Sequence, residues 1–138
     1  MKRAVQLGVL LLIVGIVAFG SGFAATNHKA PLRIGKVIGI KPEKIGEYKR
    51  LHSGGNCVVR DLLDKYHLHN FSIYLHEIEG KWYEFAYCEY DGDDLDADMA
   101  KLSAEPRNRK WMETCDSMQI PLKGETSWAI MEQVFHNP

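Results

Sequence analysis

The chain has 138 residues, 46% of them hydrophobic and 25% charged, with a formal net charge of −1. That length supports one ordinary domain with a single core, and the composition excludes a disordered chain. A charge so close to zero offers no electrostatic footprint for nucleic acid or another polyanion. Residues 1–25, "MKRAVQLGVLLLIVGIVAFGSGFAA", place Lys2 and Arg3 before an apolar run and then small residues. This is the pattern of a secretory signal with a cut after Ala24. The alternative is an uncleaved membrane anchor, since the run approaches the ~17–25 residues that span a bilayer. Both readings put the rest of the chain outside the cytoplasm, periplasmic or extracellular, with any membrane association confined to this segment.

Residues 26–32 read as a linker, and 33–138 as the domain. "RIGKVIGI" (Arg33 to Ile40) is rich in Ile and Val and reads as a strand. Pro42 suits a helix's first turn, and the helix should run through Tyr48 and His52 to Gly54-Gly55, glycine tolerating the left-handed turn at a helix end. Asn56 then caps "CVVRDLLDKY", with Val58, Val59, Leu62 and Leu63 at helical spacing. "HNFSIYLHEI" alternates Phe71, Ile73 and Leu75 against Ser72, Tyr74 and His76; "EGK" turns and "KWYEFAYCEY" returns, predicting a hairpin. The acidic start of "DGDDLDADMAKLSAEP" suits a helix N-terminus. As a calcium loop it fails, because the sixth and twelfth places hold Asp96 and Leu102 rather than Gly and Glu. Pro106 opens another helix, "PRNRKWMETCDSM". After a loop around Pro121 and Gly124, "SWAIMEQVFH" reads as the last strand.

Strand, helix pair, two strands, helix pair, strand is the βαββαβ order of an α+β, ferredoxin-like domain. Helices cover one face of such a sheet. Here both faces carry apolar or aromatic side chains, so a symmetric homodimer packed sheet against sheet, a dimeric α/β-barrel, is expected. Cys57, Cys88 and Cys115 form no CxxC motif and read as small buried residues, although an oxidising compartment would permit one disulfide. His67 and His69 stand two apart without a third ligand, so no metal site is expected.

Tyr48 and His52, four apart, share one helical face. An imidazole with an ordinary pKa of about 6.5 exchanges protons near neutrality, and a phenol beside it can orient a hydroxylated ligand. An ordinary helix surface is the competing reading. Trp111 and Trp128 are aromatic faces suited to sugar C–H surfaces or, equally, to core packing.

"EYKRLH", "HNFSIYL", "EFAYCEY", "RKWMETCD" and "MEQVFH", in that order, resemble the L-rhamnose mutarotase family over nearly all of Arg33 to His136. The resemblance implies a small dimeric ferredoxin-like protein that interconverts the α and β anomers of L-rhamnose, a monosaccharide substrate, without cofactor or metal. It implies His52 as the catalytic proton donor and Tyr48, Phe71, Lys110 and Trp111 as substrate-binding residues. Three places depart from the family: "HNF" stands for the usual "HNY", Lys110-Trp111 for a Trp-Trp pair, and "SGGNCVVRD" for a Trp-Pro-Glu stretch. They leave open the identity of the sugar. They also keep alive two alternatives, a catalytically impaired sugar-binding dimer and another dimeric α/β-barrel enzyme sharing only the fold.

Overall fold

The computed structural model describes residues 29–138. The signal or anchor reading of residues 1–25, with the start of the linker, lies outside the described residues; among these, no helix is long and apolar enough to cross a membrane. In chain order the elements are β1 (Leu32–Ile40), α1 (Ile45–His52), α2 (Arg60–Lys65), β2 (Leu68–Ile78), β3 (Lys81–Tyr90), α3 (Leu95–Ala104), α4 (Pro106–Asp116), β4 (Gln119–Ile120) and β5 (Ala129–Met131). The sheet is antiparallel in the order β2-β3-β1-β4, with β5 also on β1. This arrangement is consistent with the expected ferredoxin-like α+β fold.

Alternation dictates which side chains meet the helices. The inward row of β3 is Glu84, Ala86, Cys88 and Tyr90, all buried. Their β1 partners Ile38, Lys36, Ile34 and Leu32 complete that row, of which Ile38 is buried. On β2 an even residue, Leu68, and the odd residues Ile73 and Leu75 must face the same way. The register shift between His69 and Ser72, with Asn70 at φ +50, makes that possible. An extra residue in one strand flips the alternation beyond it.

The core under the helices is two clusters. Val59, Leu62, Tyr66, Leu68, Cys88, Tyr90 and Leu102 form one. Ile40, Tyr48, Cys115 and Met118 form the other, and Trp111 packs against both. Each fully buried aliphatic side chain of this kind stabilises the fold by about 1.5–3 kcal/mol. Cys57, Cys88 and Cys115 are free thiols, the last two buried.

Three local expectations need correction. Helix α1 stops at His52, short of Gly54-Gly55; Ser53 is extended and Gly54 takes the left-handed turn at φ +48. Asn56 does not cap α2, which begins only at Arg60. Its amide turns back instead, donating at 2.9 Å to the carbonyl of Arg50, where the Ser53 hydroxyl also donates at 2.8 Å. Those bonds join the Ser53 backbone N–H, at 3.3 Å, on a carbonyl of the last helical turn, where intrahelical partners run out. The last strand is shorter than 127–136: β5 covers Ala129–Met131, and the unanticipated β4 supplies the other part of the same edge. Pro121 follows β4 and has no N–H for a ladder. Past Met131, which pairs with Gly35, β1 itself runs out at Leu32.

Candidate functional site

Helix α1, the inward faces of β1 and β2, and helix α4 enclose an open cavity of about 1290 Å³. Its wall includes Tyr48, His52, Phe71 and Trp111, four of the five site residues expected from sequence. The bulge before Ser72 aims Phe71 inward. Lys110 is different: it is exposed and does not line the cavity. Consecutive residues of a helix point about 100° apart, so a helix that turns Trp111 inward carries Lys110 away from it. Lys110, expected beside Trp111 at the ligand, thus stands outside the wall that carries the other four.

His52 closes α1 with its ring 4.1 Å from that of Tyr48, centroid to centroid, and 5.0 Å from Trp111, which meets it edge-on. Its Nδ1 lies 2.9 Å from the Tyr48 carbonyl oxygen. A carbonyl only accepts, so Nδ1 carries the hydrogen, and the neutral ring presents its lone pair at Nε2. Burial lowers the imidazole pKa below its ordinary value, with the Arg60 guanidinium acting in the same direction and the Tyr48 carbonyl opposing both. The ring is therefore predominantly neutral at neutral pH, with a fixed tautomer and one nitrogen without a protein partner among the described residues.

Tyr48 is only 4% exposed. Its phenol is pushed up by burial first and then by the neighbouring carboxylate of Glu84. Glu84 is fully buried, accepts a hydrogen bond of 2.8 Å from the Gln119 amide, and has its carboxyl pushed up to about 7 by burial. Its second oxygen and the Gln119 carbonyl oxygen have no partner among the described residues. Beneath the imidazole there is thus a buried acid–phenol–amide cluster, of which Tyr48 and Gln119 reach the cavity wall.

Sequence reasoning missed Glu84, Gln119 and, above all, Lys36. Lys36 stands in the inward row of β1, and its ammonium lies 5.3 Å from the Phe71 ring and 5.5 Å from that of Trp128. The available signal was a period-two one: a charged residue in an otherwise apolar inward row, "IGKVIGI" on β1 and "EFAYCEY" on β3.

A family model described as L-rhamnose mutarotase matches residues 33–137. No curated protein matches the chain significantly.

Proposed function

The chain belongs to the L-rhamnose mutarotase family, and on that premise we propose that it interconverts the anomers of L-rhamnose or a related aldose through His52, outside the cytoplasm. The observation that carries the reading is the neutral imidazole on the cavity wall, its Nδ1 tied to the Tyr48 carbonyl and its Nε2 unengaged. Mutarotation moves a proton from the anomeric hydroxyl and supplies one to the ring oxygen. The C1–O5 bond breaks to give the open aldehyde, the C1–C2 bond rotates, and the ring closes on the other face. Neutral His52 takes the hydroxyl proton at Nε2; as imidazolium it returns a proton to the ring oxygen, the donor role implied by the family. Trp111 and Phe71 supply apolar faces for the sugar, and Tyr48 holds the imidazole rather than reaching far into the cavity. General acid–base help of ~10²–10⁴-fold per group is sufficient for a reaction that already proceeds in water.

Saturation-transfer NMR on L-rhamnose, with other 6-deoxyhexoses as controls, tests this directly. Exchange between anomers well above the buffer rate is the expected result. Sugar binding without accelerated exchange on any aldose would replace the proposal with the sugar-binding dimer.

A homodimer is supported by the sheet face turned away from the helices. Tyr83 and Phe85 pack there with ring centroids 6.4 Å apart, and Tyr74 is 64% exposed. Beyond β5, Val134 and Phe135 are 88% and 79% exposed. Apolar surface of this extent calls for a partner, and light scattering should return twice the chain mass; a stable monomer at micromolar concentration would count against it. Action outside the cytoplasm rests on residues 1–25 alone, and recovery of the full-length chain as a soluble cytoplasmic protein would overturn it.

A further inference from the structure

A lysine in the middle of an inward-facing strand row is an expensive choice, because an ammonium loses hydration there. Leu32, Ile34, Ile38 and Ile40 occupy the other places of that row. Among the described residues, no carboxylate lies within ion-pairing distance of Lys36. Burial pulls its ammonium below the ordinary lysine range. The faces of Phe71 and Trp128 give it partial compensation, but neither is an anion. The cavity it enters is also biased in sign. Lys36, Lys49 and Arg60 line it against the single carboxylate of Asp64, and Asp64 already lies 3.6 Å from His69. This cationic wall belongs to a chain whose net charge is −1.

We propose that the substrate is an aldose bearing a carboxylate, an aldohexuronate, and that Lys36 is the specificity-determining residue that receives the acid group. The proposal rests on the mutarotase reading above and adds the substrate class. A neutral 6-deoxyhexose leaves the half-buried ammonium without a counter-charge. A uronate supplies one negative charge to one ammonium, while its sugar ring still has Trp111 and Phe71 to lie against. A sugar phosphate, with roughly −1.5 to −2 charge, calls for more donors than one lysine between two aromatic rings. A site built around a polar partner discriminates strongly against ligands that lack it.

The test measures anomer exchange by the full-length protein on three sugars of matched ring configuration: the 6-deoxyhexose, the hexuronate and the hexose 6-phosphate. The uronate should be preferred over the deoxyhexose by at least tenfold in kcat/KM. That ratio should fall at least tenfold in Lys36→Met, which keeps the stem and removes the charge, and Lys36→Arg should restore part of it. A wild-type preference for the neutral sugar or the phosphate overturns the proposal whether or not the variant folds, and so does a ratio that stays put in a folded Lys36→Met. Rapid exchange of the deoxyhexose alone would leave the mutarotase reading intact and remove the uronate. Should no sugar exchange, the mutarotase reading fails and equilibrium binding decides the role of Lys36. Tighter binding of the uronate than of the deoxyhexose in the wild type, lost in Lys36→Met, supports it, and equal binding sinks it.

Discussion

His52→Ala should lower anomer exchange by about 10²–10⁴-fold while circular dichroism and thermal unfolding stay close to those of the parent. The imidazole is half-buried, and its polar contact is the Tyr48 carbonyl at 2.9 Å. Removing one such bond costs only about 0.5–1.5 kcal/mol of stability. A histidine that merely filled the core would behave in the opposite way, losing stability with little change in rate. The pH profile separates these roles further. Burial depresses the imidazole pKa, so the basic form that the proposed reaction requires persists below pH 6.5 and disappears only at more acid pH. The rate should therefore show an acid limb below 6.5, and His52→Ala should abolish that limb. A variant that exchanges sugar as fast as an active parent would remove His52 from the chemistry.

Glu84→Gln should erase a pH-dependent part of the stability. Burial raises the folded-state pKa from 4.5 to about 7, so between those values the native state holds a proton that the unfolded state has lost. Stability from this group is fully present below about 4.5 and disappears as pH rises through about 7. The interval corresponds to roughly 3 kcal/mol at most. Tyr48, Cys115 and Gln119 are the groups that face it, and none brings a positive charge. The depressed His52 works in the other direction, since its unfolded form takes up a proton first as pH falls below 6.5. The informative quantity is therefore the parent-minus-variant difference in unfolding free energy at pH 4.5 and at pH 8. An equal difference at both would mean that Glu84 titrates in the folded protein as it does in the unfolded chain, which would overturn the raised pKa.

Much of this architecture was legible because local and tertiary signals agree. The β2–β3 hairpin alternates without interruption from Ser72 on and turns at Glu79-Gly80. Helix α3 starts where Asp94 accepts from the Ala97 amide at 3.0 Å, the end the acidic run foretold. Tyr48 and His52 were legible as a pair because helical spacing alone sets their proximity. What was not legible depends on long-range pairing. The apolar run after Trp128 has strand-like composition throughout, yet only three of its residues find β1. Asn56 is a good capping residue by type, and nothing local says that it folds back on α1 rather than forward on α2. Lys110 and Trp111 are neighbours in sequence and therefore cannot share a helical face. Lys36 escaped because its meaning lies in Phe71 and Trp128, about 35 and 90 residues further along the chain.

The divided edge of the sheet bears on how this protein can change over evolutionary time. β4 is fastened to the Gly39–Ile40 end of β1 and β5 to its Gly35–Val37 stretch, so residues 121–128 leave and rejoin the same strand. Ser127 and Trp128, at the end of that excursion, form part of the cavity wall. Lengthening a loop whose two ends are already fixed adds little closure entropy, about 0.6 kcal/mol for each doubling. Insertions and deletions here can therefore remodel the mouth of the cavity while the ladders on either side keep their register. Cavity shape and scaffold integrity are thus mutable separately, and a library diversified in length across 121–128 should yield altered cavity mouths with few misfolded members.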